Sequence, residues 1–124
     1  MDNGSSPGAQ GSGADTGDKV ATNIRKGVLE GCVLALLARG ERYGLELAEE
    51  LGARGLSASA GSLYPLLARM RDAGLVETRW DSQTGARTRR YYAITPGGVE
   101  QLAVFVRTWR EITPQVETLI EEER

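Results

Sequence analysis

The chain has 124 residues, a mass of 13.4 kDa and a formal net charge of −2, which fits one domain and leaves no room for two. No apolar run is long enough to span a membrane, and the single cysteine excludes an internal disulfide and a cysteine-rich zinc site. Histidine, the commonest general base and metal ligand, is absent. We therefore expect no enzyme, no metal and no cofactor. Because no secretory signal is visible at the start, we expect a cytoplasmic protein.

Residues 1–22 predict a disordered tail, because glycine, serine and aspartate dominate there and large apolar side chains are almost absent. From Asn23, a possible N-cap, apolar residues recur at helical spacing until Gly40. More than half the circumference of this first helix is apolar, so we expect it to lie centrally, with Cys32 as a small core residue. Residues 43–51 predict a second helix.

A third helix is predicted to begin between Ser59 and Ser62 and to end at Gly74. A cap at Ser62 places Pro65 where a missing N–H costs little, whereas a cap at Ser59 predicts a bend at Pro65. The expected core-facing residues of this helix follow helical spacing: Leu63, Leu66, Leu67 and Met70.

Two alternating segments, residues 75–80 and 89–94, predict the strands of a β-hairpin with a polar tip over residues 81–88. Trp80 is expected to be buried where the hairpin meets the helices. Tyr91 and Tyr92 are expected to pack within the hairpin.

Thr95 and Pro96 predict the cap and first residue of a last helix, which runs at least to Ile112; Pro114 should kink or break it. The apolar residues of this helix follow heptad spacing and form a stripe too wide for one small domain to cover, a kind of patch that monomers avoid. The sequence therefore predicts a homodimer joined through this helix. The expected interface residues are Val99, Leu102, Phe105, Val106, Trp109, Thr113, Val116 and Ile120.

Three helices, a hairpin and a long helix, in that order, predict a mainly α (α+β) winged helix-turn-helix over residues 23–95, followed by a dimerisation helix over residues 96–124. Residues 54–94 hold seven arginines and three acidic residues, a net +4 that suits contact with DNA phosphates. Tyr64 could instead pack at the start of the third helix, and Arg87, Arg89 and Arg90 could be only a solvated hairpin tip. The candidate DNA-contacting residues lie on the third helix and the hairpin: Ser62, Tyr64, Arg69, Arg71, Arg87, Arg89 and Arg90.

Three segments, ERYGLELAEEL, ASAGSLYPLLARMRDAGLVETRW and GARTRRYYAITPGG, resemble the PadR family of bacterial transcriptional regulators. The resemblance covers the chain from Ile24 to its end, and the single C-terminal helix is similar to the short subfamily that includes multidrug-sensing repressors. This resemblance implies a homodimeric transcriptional repressor that binds double-stranded DNA. A small planar or phenolic effector would release the repressor from the DNA. A winged-helix adaptor that binds proteins is the competing function.

The resemblance also implies a place for the effector. In drug-sensing members a tryptophan of the C-terminal helix stacks on planar ligands at the dimer centre, and Trp109 stands at the matching position. Leu102 and Val106 would share its helix face, and the small residues Gly31 and Ala35 would leave space opposite. A filled dimer core is the alternative interpretation of these residues.

Overall fold

The computed structural model describes residues 7–56, 59–81 and 89–122. Over these residues the chain is mainly helical with one small antiparallel sheet, which confirms the predicted fold class. The elements are α1 (Pro7–Leu37), β1 (Arg42–Tyr43), α2 (Gly44–Ala53), α3 (Ala60–Asp72), β2 (Val76–Asp81), β3 (Arg89–Ile94) and α4 (Pro96–Glu122).

One apolar core joins α1, α2, α3 and the sheet. Val33 and Leu34 of α1 are fully buried, which confirms the central place predicted for the first helix. Cys32 is half-buried and packs against this core. The four predicted core residues of α3 are all buried: Leu63, Leu66, Leu67 and Met70.

The N-terminal part of α1 differs from the prediction. A disordered tail is expected over residues 1–22, but α1 begins at Pro7; residues 1–6 lie outside the described residues. Val20 and Ile24, the two large apolar residues of this part of α1, are exposed. The low content of large apolar residues indicates only that this segment buries little surface. Adding a turn to an existing helix, however, costs far less than nucleating a new one. Proline, here Pro7, is also well suited to a first helical position.

A short strand that the sequence does not predict follows α1. β1 pairs with β3, so the sheet order is β1-β3-β2, with all neighbours antiparallel. Gly40 makes the turn into β1 with a φ of +146°, a conformation that favours glycine. Arg42 fixes the turn, since its guanidinium pairs with Glu50 and donates to the carbonyls of Leu36 (2.7 Å) and Gly40 (2.6 Å).

The start of α3 decides between the two predicted caps. The Ser59 Oγ accepts a hydrogen bond from the Ser62 N–H at 3.3 Å, so Ser59 is the N-cap. Pro65 therefore lies inside the helix. The helix ends before Gly74, whose φ is +80°, as the sequence predicts.

The hairpin of β2 and β3, called the wing below, has the predicted strands. Val76 pairs with Ile94 at the core end, and Asp81 pairs with Arg89 at the outer end. The expectation that Trp80 is buried is wrong: its side chain is 60% exposed. The reason is that the core ends at Tyr92, and Trp80 lies farther out along the hairpin, opposite Arg90.

α4 begins as predicted, because the Thr95 Oγ1 accepts a hydrogen bond from the Gly98 N–H at 3.0 Å. The same hydroxyl donates to the Gly74 carbonyl at 2.6 Å and so ties the helix start to the end of α3. The helix is continuous to Glu122, so Pro114 does not break it. Pro114 removes only one N–H from the helix ladder, and the Thr113 hydroxyl donates to the Trp109 carbonyl one turn earlier.

Candidate nucleic-acid interface

α3 exposes two flanks on either side of its buried face. Ser62 and Arg69 lie on the flank toward α1, where they line a groove of about 540 Å³ with Arg25 and Lys26. We call this the α1 groove; the described residues that line it include no acidic side chain, and the remaining ones are Thr22, Leu29, Ser59, Pro65 and Leu66. Two predicted DNA contacts thus lie beside two further cations.

The opposite flank of α3 faces the wing. Tyr64 is 43% exposed and lines a cleft of about 590 Å³, called the wing cleft below. The other described residues that line this cleft, none of them acidic, are Tyr43, Gly44, Leu45, Trp80, Arg89, Arg90 and Tyr92.

Tyr64 also has a packing role. Its ring lies against Gly44 so closely that a Cβ built on Gly44 would come within 2.5 Å of the Tyr64 Cε1. Gly44 is the first residue of α2. The ring position of Tyr64 in the wing cleft is therefore set by α2, and both interpretations of Tyr64 remain compatible with the structure.

Three wing arginines lie over aromatic rings. The Cζ of Arg79 lies 4.7 Å from the ring centroid of Tyr91, that of Arg89 lies 4.6 Å from Tyr43, and that of Arg90 lies 4.6 Å from Trp80. The Tyr43 and Tyr91 rings meet edge to face at 5.6 Å. Among the described residues, each of these three wing arginines therefore has an aromatic partner.

The charges of these arginines are not equally available. Arg79 donates two hydrogen bonds to the carboxylate of Glu41, at 3.1 and 2.9 Å. The hydrogen bond from Arg79 lowers the pKa of Glu41, and the same bond raises the pKa of Arg79. In the described part of the chain, no ion pair joins Arg89 or Arg90 to a carboxylate. Arg79 is thus neutralised locally, and these two arginines are the ones available to an anion.

One other predicted contact, Arg71, lies apart from these surfaces. Arg71 is half-buried and reaches the neighbouring Asp72 at 3.5 Å. It lines neither the α1 groove nor the wing cleft. Arg87 lies outside the described residues.

Two of the residues expected around an effector, Gly31 and Trp109, are linked within one chain by Phe105. A Cβ on Gly31 would lie 2.5 Å from ring carbons of Phe105, so Phe105 of the same chain occupies the space that Gly31 leaves. The Phe105 and Trp109 rings stack with centroids 6.2 Å apart. Leu102 and Val106 are half-buried, whereas Ala35 is exposed.

The predicted interface residues of α4, called the α4 stripe below, are partly packed within the chain and partly exposed. Trp109 is 46% exposed and Val116 is 50% exposed. Val99 and Ile120 are also exposed, and the residues nearer α1 are half-buried: Leu102, Phe105, Val106 and Thr113. Ile112 and Leu119 widen the exposed apolar area.

Sequence reasoning misses three contributors to these surfaces. Arg25 and Lys26 lie outside the basic segment, residues 54–94, that the charge count identifies. They come four and three residues before Leu29, so helical spacing places them on the same side of α1 as Leu29, which faces α3. The alternation of Trp80 with Val76 places it in the core. Its distance along the strand indicates the opposite: Trp80 lies two residues beyond the Thr78–Tyr92 pair, at which the core ends.

The described residues hold no group of three or more potential metal-ligating side chains. No helix among them is long and apolar enough to cross a membrane.

A helical core whose third helix is followed by a two-stranded wing and flanked by basic surfaces defines the winged helix-turn-helix class. The chain matches the Transcriptional regulator PadR-like family over residues 33–104 and belongs to that family. It is therefore a transcriptional regulator and not an enzyme, as the sequence predicts.

Solved structures agree with this membership. A PadR-like transcriptional regulator from Bacillus cereus is 39% identical, with a TM-score of 0.72, and the match covers 79% of this chain and 96% of that one. A PadR family regulator from Eggerthella lenta is 31% identical, with a TM-score of 0.79 and coverages of 89% and 96%. Bacillus subtilis PadR, solved in complex with operator DNA, is 26% identical, with a TM-score of 0.60; the match covers 64% of this chain and 45% of that longer one.

Proposed function

We propose that this protein is a cytoplasmic, homodimeric repressor that binds specific double-stranded DNA and is released by a small planar or phenolic effector. The observation that carries the DNA-binding part is the placement of cations on both flanks of α3. Arg25, Lys26 and Arg69 lie on the α1 side, and Arg89 and Arg90 lie on the wing side. A helix inserted into the major groove has a phosphate backbone on each side of it. Cations on both flanks of α3 would therefore face the two backbones. The solved complex of Bacillus subtilis PadR with its operator supports the proposal.

The homodimer follows from the α4 stripe. Its exposed aliphatic and aromatic side chains form a patch that a monomer would leave in water. A second copy, joined by a two-fold axis, would cover the stripe with the same surface. Such a dimer would carry two copies of α3, and we expect them to be separated by one turn of DNA, ~34–36 Å.

The effector would act where α4 meets α1. Trp109 stacks on Phe105, and Phe105 is seated on Gly31, so a planar compound stacked on Trp109 would press on this contact. A compound can release DNA only to the extent that it binds better to the altered spacing of the two DNA-binding units. The alternative is that the Phe105 and Trp109 rings simply fill the dimer core.

The test of DNA binding is a selection of bound duplexes from random DNA, followed by affinity measurements at several salt concentrations. We expect the double substitution Arg89→Ala, Arg90→Ala to weaken binding on all sequences by at least about tenfold, since hydrogen bonds from charged groups contribute ~1.5–3 kcal/mol each. The slope of log affinity against log salt should become shallower by about 0.9 for each phosphate that the variant no longer neutralises.

Arg107→Ala is the matched control, because Arg107 is exposed on α4 and lines neither the α1 groove nor the wing cleft; affinity and slope should stay unchanged. An unchanged slope in the double variant would remove the wing from the DNA surface. A wild type that binds no duplex even in dilute salt would refute DNA binding and favour a protein-binding adaptor.

The effector is tested separately. Planar cationic and phenolic compounds are titrated into the protein–DNA complex, and release is followed by fluorescence anisotropy of the labelled duplex. Quenching of Trp109 emission, with the Trp80 background measured in Trp109→Phe, reports binding at the expected place. Compounds that quench Trp109 without releasing DNA would contradict the regulatory role.

A further inference from the structure

The wing exposes a tryptophan that packing on the core does not explain. Trp80 is 60% exposed, although it lies on the sheet face whose inner residues, Val76 and Tyr92, are buried. Exposing so much of the largest apolar side chain is unfavourable. Its one ring contact among the described residues is with Arg90, the residue directly opposite on β3.

The Trp80–Arg90 pair differs from the Arg79–Tyr91 pair on the other face of the wing. Arg79 donates two hydrogen bonds to Glu41, so a carboxylate of the same chain neutralises its charge. Arg90 has no carboxylate partner among the described residues, and its Nε is buried without a hydrogen-bond partner there. The ring of Trp80 thus holds a guanidinium whose charge no carboxylate of the described chain neutralises.

The pair lies beside α3. Trp80, Arg90 and Tyr64 line the same wing cleft. A guanidinium lying on an aromatic face keeps its planar edge free for oxygen ligands, and the described residues that line the cleft include no acidic side chain that would repel an anion.

We propose that Trp80 is a positioning residue of the DNA surface, which holds Arg90 against a backbone phosphate in the wing cleft and is itself covered by the sugar–phosphate chain. This inference rests on the proposed DNA binding. It adds Trp80, which the sequence pattern places in the core, to the DNA surface. It also states that the contact of Arg90 with a phosphate depends on the ring of Trp80.

The first experiment is a double-mutant cycle, read as affinity for the tightest duplex from the selection. We expect Trp80→Ala to weaken binding by about three- to thirty-fold, the range of cation–π contributions from exposed to desolvated sites. Trp80→Phe should restore most of the affinity, because phenylalanine keeps an aromatic face, whereas Trp80→Leu should not. In the double variant Trp80→Ala, Arg90→Ala the loss of binding free energy should be clearly smaller than the sum of the two single losses, because Trp80 acts mainly through Arg90 and only its own contact with the sugar–phosphate chain adds to the loss.

The second experiment reads Trp80 directly and needs no loss-of-function variant. Protein labelled with 5-fluorotryptophan has one ¹⁹F resonance for each of its two tryptophans, and Trp80→Phe assigns them. In the free protein the Trp80 resonance should show a clear solvent isotope shift between H₂O and D₂O, and saturation with the duplex should largely remove that shift.

Independent effects of the Trp80 and Arg90 substitutions, or a Trp80 isotope shift that DNA does not change, would overturn this inference while leaving DNA binding intact. If the wild type binds no duplex, the proposed function fails, and the inference fails with it.

Discussion

The wing and α4 both expose a tryptophan, but the surroundings of the two rings differ. Trp80 on the wing lies against Arg90, within a set of arginines and tyrosines that contact one another across the strands. Trp109 on α4 stacks on Phe105, and the far end of its stripe carries the exposed aliphatic side chains of Val116 and Ile120. One tryptophan belongs to a charged surface, and the other belongs to an apolar one.

This difference indicates two kinds of partner. The side chains of the wing find their contacts inside one chain, and the surface left over is cationic, so it suits a polyanion. The α4 stripe finds only part of its contacts inside the chain, through Phe105 against Gly31, and the surface left over suits another apolar stripe. DNA binding and self-association are therefore expected to respond to different substitutions.

The largest effect should come from a charge placed in the α4 stripe. Val116 is half-exposed within it, and Val116→Glu would bury two unpaired carboxylates in a two-fold dimer. We expect dimerisation to weaken by about 100-fold or more, and DNA affinity to fall with it because two linked α3 helices bind far better than one. Sedimentation velocity and DNA titration at the same protein concentrations measure both.

Thr118→Glu is the matched control, since Thr118 is exposed on the opposite side of the same helix. It should leave both the dimer and the DNA affinity unchanged. A wild type that sediments as one copy, or a Val116→Glu variant that stays dimeric, would contradict the role assigned to the stripe and leave the wing untouched.

The sequence could predict most elements and the core face of α3, because helical spacing and caps are local properties. Leu63, Leu66, Leu67 and Met70 follow from spacing alone. It could not predict β1, since two residues carry no alternation, and a strand that short depends on its pairing with β3. The start of α1 is unpredictable for a related reason: elongation depends on the helix that is being extended, and local composition does not report it.

The candidate site was predictable by residue type but not by arrangement. Arg89 and Arg90 could be identified from the charge pattern, whereas the pairing of Arg79 with Glu41, 38 residues away, depends on the folded sheet. In the same way, the small size of Gly31 predicts space beside it, and the sequence alone could not reveal that Phe105 of the same chain fills that space.

The contact between α1 and the α4 stripe can be tested at Gly31. Gly31→Ala places a Cβ 2.5 Å from the Phe105 ring carbons, so α1 and α4 must shift apart or the ring must move. Overpacking usually costs about 1–3 kcal/mol, and the better helix propensity of alanine offsets about 1 kcal/mol of that cost. We therefore expect the free energy of unfolding to fall by up to about 2 kcal/mol, which should lower the melting temperature in a thermal scan and place it clearly below that of Gly27→Ala. The Phe105–Trp109 stack should loosen as well, with a change in Trp109 emission.

Gly27→Ala is a close control, because Gly27 lies one turn earlier on α1 and a Cβ there would meet nothing within 4 Å. Alanine is the better helix former by about 1 kcal/mol, so this variant should be slightly more stable than the wild type. If both variants were stabilised equally, Phe105 would not be seated on Gly31, and the link between the stripe and the core would be refuted.

The smallest expected effect concerns the ion pair that separates Arg79 from the other wing arginines. The hydrogen bond from Arg79 lowers the pKa of Glu41 below its ordinary value, so the stability that this pair contributes is present above the ordinary carboxyl pKa and is lost as the pH falls through the lowered one. A ¹³C NMR titration of the Glu41 carboxyl group should therefore give a lowered midpoint in the wild type and a midpoint closer to the ordinary value in Arg79→Ala. Since the pair is exposed and screened by salt, the difference should shrink in high salt. An identical midpoint in both proteins would mean that Arg79 is as available to an anion as Arg90, and the contrast between the two faces of the wing would disappear.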